Sequence, residues 1–501
     1  MPVICGDCKE VIKRMDNNSV DSIVTDPPAG IKFMGRIWDH DKGGRDQWIE
    51  WMTGIATECL RVIKPGGHAL VWSLPRTSHW TATAWENGGF ECRDSIVHIF
   101  GTGFPKSLDI SKAIDKHDGK QMGWFGSWLR KWRIDNNIPQ KEIAKLFPSK
   151  TGGLTGCAAN WELGLNLPTV EQFNLIRDTF SLPFEYLEDI EREVIGQRTT
   201  GIGTGKGATP IMGDGNRDIT APRTETAKQY SGLGTALKPA HEDWILLRKP
   251  VEGTIAQNVL EYGVGGINID GCRVEIQDTD DSIYAKNPHT NGTIGENGIY
   301  GAGKRTLYKV PTGRFPANLI HDGSDEVLAL FPQAMGMSGG GAKDKIKKDT
   351  WAIQPFNRKL VREEWIRCDS GSAARFFYCA KPSQQERNIG CENLPHKTAG
   401  ECTDRVEGSA GLNSPRAGAG RTNGSQNDHP TVKSINLMRY LCKLITPPNG
   451  VVLDPFCGSG STGLAAYLEG FQCIMIDSDS HSCEIAEVRM RSVIKGNNKL
   501  S

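Results

Sequence analysis

One run of residues constrains the fold more than any other. Val451-Val452-Leu453 is followed by Asp454-Pro455-Phe456-Cys457-Gly458-Ser459-Gly460, and then by Ser461-Thr462-Gly463-Leu464-Ala465-Ala466-Tyr467-Leu468. The apolar triplet reads as a buried strand, and the stretch after the glycines has helical spacing. Strand, glycine turn and helix together open a Rossmann-like unit, in which a ligand approaches the backbone at a helix N-terminus. The next strand, Cys473-Ile474-Met475-Ile476, ends at Asp477, where a carboxylate is placed to hydrogen-bond a ribose diol. The turn is not the G-x-G-x-x-G of dinucleotide sites. The expected ligand is therefore a nucleoside with a ribose and no phosphate, and S-adenosylmethionine is the candidate cofactor.

A second motif lies far upstream. Val20-Asp21-Ser22-Ile23-Val24-Thr25 reads as another short strand, ended by Asp26-Pro27-Pro28-Ala29 because prolines cannot donate to a ladder. The prolines fix the backbone, so the Asp26 carboxylate and the carbonyl behind it at Pro27 are held rigidly. Exocyclic amines of nucleobases are poor nucleophiles because the nitrogen lone pair is delocalised into the ring. Acceptors placed on the amine hydrogens favour a pyramidal nitrogen and free that lone pair to attack a methyl sulfonium.

With both motifs in hand, the chain resembles the amino-group DNA methyltransferases of the permuted β arrangement, in which D-P-P precedes the cofactor turn. Ile4-Cys5-Gly6-Asp7-Cys8 resembles that family's opening segment, which implies a place for Asp7 near the cofactor adenine. Glu58 to Gly67 resembles the helix and Gly turn before the central strand Ala69-Leu70-Val71-Trp72. His429-Pro430-Thr431-Val432-Lys433, before a helix at Leu437 to Leu441, resembles the segment holding the methionine end of the cofactor. Glu242 to Pro250 and Phe376 to Pro382 are further pieces.

The resemblance implies an α/β fold: a Rossmann-like methyltransferase sheet in permuted order, with an all-helical insertion and an irregular target-recognition region. Asp26, Pro27 and Pro28 would be catalytic. Asp7, Asp454, Phe456, Gly458, Gly460, Asp477, Thr431 and Lys433 would bind the cofactor. The fourth motif residue departs from the family, whose usual aromatic stacks on a flipped-out base, since this chain has Ala29. Phe33 and Trp38 are the nearest substitutes, and extraction of a base needs such stacking. The alternative is that they only pack the loop.

Formal net charge is zero over 501 residues, yet charge is unevenly spread. From Lys120 to Lys150 seven basic residues face two acids, a local excess of the kind that binds phosphate. That stretch is helical in period and resembles a repressor-type helix-turn-helix at Leu129, Arg130, Arg133, Gln140, Ile143-Ala144, Trp161-Glu162 and Gly164. Arg130, Arg133, Gln140, Lys141, Lys145 and Lys150 are its DNA-binding candidates. A helical hairpin that only braces the catalytic lobe is the other reading.

The segments are expected as 1–119, catalytic half; 120–193, helical insertion; 194–267, connection and a further sheet piece; 268–372, target recognition with a basic island at Lys343, Lys345, Lys347 and Lys348; 373–428, a strand piece and a flexible loop from 398; and 429–501, cofactor half. No apolar run of membrane-spanning length and no export signal is read, and the 14 cysteines suit a reducing compartment, so a cytoplasmic protein is expected. Cys5 and Cys8 have the spacing of half a zinc site, with Cys391 and Cys402 as the imaginable remainder, but no metal is expected. The partner implied is double-stranded DNA, with a restriction endonuclease left open. The product expected is N6-methyladenine, with N4-methylcytosine or a non-catalytic DNA-binding regulator as alternatives.

Overall fold

The computed structural model describes residues 2–33, 37–101, 103, 107–121, 124–148, 156–164, 167–183, 194–199, 216–222, 224–275, 313–334, 338–342, 362–366, 371–381, 385–397 and 425–496. The chain divides into two compact units, one of Met1–Thr102 with Ala240–Ser501 and one of Gly103–Pro239.

The first unit is built on a nine-stranded sheet. Its strands, in chain order, are β1 (Val3–Cys5), β2 (Val20–Thr25), β3 (Ile63–Ser73), β4 (Glu91–Ile99), β5 (His241–Arg248), β6 (Leu319–His321), β7 (Tyr378–Cys379), β8 (Val451–Asp454) and β9 (Gln472–Asp477). Across the sheet they lie in the order β1-β9-β8-β2-β3-β5-β4-β6-β7. β5 runs antiparallel to β3 and β4, while the other neighbouring pairs are parallel. From β8 the chain continues to β9 on one side, and from β2 it continues to β3 on the other. The order therefore reverses between β8 and β2, and in open α/β sheets that is where a crevice forms at the carboxyl ends of the strands.

Both faces of the sheet are covered, so its central strands are apolar in nearly every position. Val24, Leu70, Val452 and Met475 pack with the helices Ile435–Ile445 and Ser461–Leu468. Their sequence neighbours Ile23, Ala69, Val71, Leu453 and Ile476 pack on the opposite side with Trp48, Met52, Ile55, Cys59 and Val62 of the helix Arg45–Val62. All of β2 is buried, including Asp21. Its carboxylate is compensated by the Val451 N–H at 2.7 Å and the Lys64 ammonium at 2.6 Å, as a buried charge must be.

The Gly66-Gly67 pair does not form the expected turn before a strand. β3 runs through both glycines. A Cβ on Gly67 would fall 2.9 Å from the Asp21 carbonyl, and one on Gly66, at φ +77°, would strike the Asn258 side chain. The glycines there allow close approach, and the β2–β3 register shifts beside them.

The second unit contains the helices Ile110–Gln121, Trp124–Asp135, Gln140–Lys145, Cys157–Glu162, Val170–Phe180 and Glu225–Gln229. The strands Val194–Thr199 and Asn216–Thr220 pair antiparallel. The expected insertion, 120–193, lies within this unit. Its core is Phe125, Leu129, Ile143, Ala158, Trp161, Phe173, Ile176 and Leu182. Within the expected connection, 194–267, Thr224 caps the short helix Glu225–Gln229, its hydroxyl accepting from Ala227 N–H at 3.1 Å.

Lys150, most of 268–372 with its basic island, and 398–424 with Cys402 lie outside the described residues. The end of the segment read as a flexible loop is a correction. Ser425 and Asn427 are buried, and Lys397 and Ser425 exchange backbone hydrogen bonds. Among the described residues, no helix is long and apolar enough to cross a membrane.

Candidate active site

The strand order makes neighbours of motifs more than 400 residues apart. Thr25, the last residue of β2, donates its hydroxyl to Asp454, the last of β8, at 2.7 Å. Both motifs open on one cavity of about 340 Å³, lined among others by Asp26, Pro28, Trp38, Asp454, Phe456 and Asp477. That volume is in the range of small-molecule sites.

The cofactor-turn residues are fixed by backbone contacts. Asp454 Oδ1 also accepts from Phe456 N–H at 3.2 Å, and Asp477 accepts from Gly458 N–H at 2.8 Å and Asp479 N–H at 2.9 Å. Gly458 has φ +49°, and a Cβ there would lie 2.8 Å from His429 Nε2. Only glycine leaves the turn open to a ligand at that point. Gly460 is a glycine for another reason. Its φ is +80°, and a Cβ would meet Ala486 of the helix Ser480–Ile494 at 2.9 Å. It serves packing, and it does not line the cavity.

The cavity wall is anionic, with six aspartates, Asp7, Asp26, Asp428, Asp454, Asp477 and Asp479, against two lysines, Lys42 and Lys433. Such a set of acceptors repels phosphate and suits hydroxyls and a cationic centre. Asp7 is exposed and also caps the helix Cys8–Ile12, accepting from Glu10 N–H at 3.1 Å. His429 is half-buried, and its buried Nδ1 has no hydrogen-bond partner. Burial pushes its pKa down to about 4, so it is neutral at physiological pH.

The loop after the prolines is held by one buried carboxylate. Asp39 accepts from the N–H groups of Gly30, Ile31 and Phe33 at 2.9, 3.3 and 2.8 Å. Trp38, next to it, lines the cavity and is 38% exposed, while Phe33 is not among the lining residues. Of the two candidate stacking groups the structure brings one to the site. Ala29 is buried, and at Gly30, with φ +71°, a Cβ would collide with the Trp48 ring.

Asp26 sits in a largely buried charge network. The Lys433 ammonium lies 3.5 Å from Asp26 Oδ2 and 3.0 Å from Glu242 Oε2. Glu242 further accepts from Trp72 Nε1 at 2.6 Å and faces His98 Nδ1 at 2.9 Å. Burial pushes the Asp26 carboxyl up to about 7 against the pull of Lys433, with Glu242 and Asp454 adding to the rise. For Glu242 burial is outweighed by Lys433 and His98, and its carboxyl is held well below the usual range. Burial also pushes Asp454 up, to about 6, against its hydrogen bonds from Thr25 and Thr462.

The geometry adds partners to several of the expected residues. Lys433, expected to bind the cofactor, lines the cavity and is also engaged by Glu242 and Asp26. Arg133 and Gln140, read as DNA contacts, are spent inside the second unit. Arg133 Nε and Nη2 reach Glu162 at 2.7 and 3.1 Å, and Gln140 donates to the same carboxylate at 3.0 Å. Arg130, Lys141 and Lys145 are exposed, with Lys145 paired to Glu142. Thr431 and Pro28 line the cavity, and Pro27 is buried behind it. Sequence reasoning missed Glu242, Asp428, Asp479 and Trp51 as cavity or network residues. Trp51 stands 6.1 Å from the Phe456 ring, with Lys42 above it at 4.5 Å.

The family model described as DNA methylase, of the N6/N4 amino-group type, matches residues 341–488. That span holds Thr431, Lys433, the Asp454–Gly460 turn and Asp477, but not Asp26. The type II methyltransferase M.BamHI of Bacillus amyloliquefaciens is 32% identical over 71 residues, 14% of this chain and 17% of the relative. M.HindIII of Haemophilus influenzae is 24% identical over 180 residues, 28% of this chain and 56% of the relative. The chain thus spans well under two thirds of the curated relatives it matches. The M1.HpyAVI–SAM crystal structure aligns over 97% of this chain and 98% of its own, at 13% identity, with a TM-score of 0.30, too low to argue from. Over residues 341–488, this chain is similar to the amino-group DNA methyltransferases.

Proposed function

We propose that this chain methylates an exocyclic amine of DNA, adenine N6, with S-adenosylmethionine as donor. The observation that carries the reading is the shared cavity, where the Asp26 carboxylate and the Gly458 turn face the same space. Asp477, Gly458, Phe456 and Asp7 would hold the nucleoside end of the donor, and Asp454, His429 and Thr431 the amino-acid end. Bound there, the donor supplies an electrophilic methyl group. Asp26 accepts a hydrogen of the target amine, orients its lone pair and takes up the proton that the nitrogen loses as it alkylates. Trp38 stacks on the extracted base in place of the aromatic missing at Ala29. The purine is favoured by Asp26 at the head of the motif and by the small Ala29. The exposed cations Arg130, Lys141 and Lys145 of the helical unit contact phosphate, in the manner of a helix-turn-helix protein, and double-stranded DNA is the partner.

The test is transfer of tritiated methyl from S-adenosylmethionine to DNA, followed by mass spectrometry of the product nucleosides. Asp26→Ala should abolish transfer and leave the cofactor Kd within a few-fold. N4-methylcytosine as sole product would overturn the base assignment, and near-normal turnover by Asp26→Ala would overturn the mechanism.

A further inference from the structure

β5 enters the sheet against the direction of its neighbours, so its first residues lie at the edge where β2, β3 and β4 end. Trp244 is opposite Trp72, and Glu242 is opposite His98. An acid at the start of an antiparallel strand is thus delivered to the carboxyl-end crevice, beside Asp26. Lys433 arrives from the segment before the helix Ile435–Ile445 and lies 4.0 Å above the Trp72 ring. Its contact to Glu242 is 0.5 Å shorter than its contact to Asp26, 3.0 against 3.5 Å. Two further groups hold Glu242: Trp72 Nε1 donates to Oε2, the oxygen that Lys433 also contacts, and His98 Nδ1 meets Oε1.

A cation beside a catalytic acceptor cuts both ways. It keeps the carboxyl ionised, but closed fully onto it the cation would occupy the lone pairs that the substrate amine needs. We propose that Glu242 is a positioning residue for Asp26. By taking the shorter contact to Lys433, anchored by Trp72 and His98, it keeps the ammonium beside Asp26 without letting it close on that carboxylate, and the acceptor stays open to the target amine. This rests on the reading of Asp26 as the amine's acceptor. The charged groups facing Asp26 are Lys433, Glu242 and Asp454, and those facing Glu242 are Lys433, His98 and Asp26 itself.

The experiment is the pH dependence of kcat for DNA methylation by the full chain as wild type, Glu242→Gln and Trp72→Phe, with the S-adenosylmethionine Kd of each measured by calorimetry. Without the Glu242 charge, Lys433 closes on Asp26. The acid limb then moves down by about one pH unit, so that at pH 6 the fraction of plateau rate rises about fivefold. The plateau itself falls about tenfold or more as the acceptor is occupied, and the cofactor Kd stays within about threefold. Trp72→Phe loosens Glu242 without removing its charge and moves the limb the same way by less. A merely structural role would lower the rate and leave the limb in place, and limbs unmoved in both variants overturn the proposal. A wild-type chain that methylates no DNA amine overturns the functional reading instead.

Discussion

Replacing Lys433 by methionine keeps the length of the stem and removes the ammonium between Asp26 and Glu242. At 3.5 Å from Asp26, and with an effective dielectric of about 20, that ammonium favours the carboxylate by ~5 kcal/mol. Asp26 is one-fifth exposed, and water entering beside it recovers part of this, leaving ~2–4 kcal/mol, or about 1.5–3 pH units. The sign follows from the acid form. Asp26 already titrates at about 7, because burial outweighs Lys433. Losing the cation raises it further and moves the acid limb of kcat to higher pH. At pH 7.5 the wild-type carboxyl is about three-quarters ionised, and after a shift of about 1.5 units it is about one-tenth ionised. Turnover at pH 7.5 should therefore fall about eightfold and recover above about pH 9.5. The assay is single-turnover methyl transfer from pH 5.5 to 10 with saturating cofactor and DNA. A loss of equal size at every pH would refute the electrostatic role and leave Lys433 as a packing element.

Three further outcomes follow from the same geometry. Asp477→Ala removes the acceptor for the Gly458 and Asp479 N–H groups as well as the proposed ribose partner; calorimetry should show cofactor binding weaker by ~1.5–3 kcal/mol, and saturating cofactor should restore most of the turnover. Trp38→Ala should lower kcat/KM for DNA by ~1–3 kcal/mol with cofactor binding unchanged, while Phe33→Ala, outside the cavity lining, should cost much less; equal effects would return the stacking role to both. Removing residues 122–192 behind a short Gly-Ser bridge should flatten the dependence of log Kd on log salt by about 0.9 for each phosphate that the shortened protein no longer neutralises, and an unchanged slope in a folded deletion protein would assign the helices a bracing role.

The parts of the site legible in sequence are those written in local order. Val451 to Asp477 carries strand, glycine turn, helix and terminal acid within one stretch, and the structure forms them as β8, the Gly458 turn, Ser461–Leu468 and β9. What was not legible depends on tertiary direction. Glu242 reads as an ordinary charge at the start of a strand, and only the antiparallel run of β5 brings it to Lys433. Arg133 and Gln140 carry phosphate-binding chemistry, but their common partner Glu162 lies 29 and 22 residues away, and no local spacing announces that pairing. Trp51 stands three residues after the buried Trp48 and so reads as core. The Gly66-Gly67 pair reads as a turn by composition, although its glycines answer to the close approach of Asp21 on the neighbouring strand and of Asn258 from the helix Ile255–Tyr262.

The separation between the two motifs has its own physical logic. Thr25 and Asp454 are 429 residues apart in the chain and hydrogen-bonded across adjacent strands. Bringing distant ends together costs an entropy that grows only with the logarithm of the intervening length, about 0.6 kcal/mol for each doubling. Compared with a connection of about 100 residues, two doublings add ~1.2 kcal/mol, less than the burial of one Ile23 or Leu453 side chain at the β2–β8 contact contributes. The central strand pair can therefore tolerate a long interruption, and a whole compact unit, Gly103–Pro239, is carried between its partners. Elements within that interval can be lengthened or exchanged without disturbing the edge at which Asp26 and the Gly458 turn meet, because register there is set by β2 and β8 themselves: Val452 against Ser22, Leu453 against Ile23.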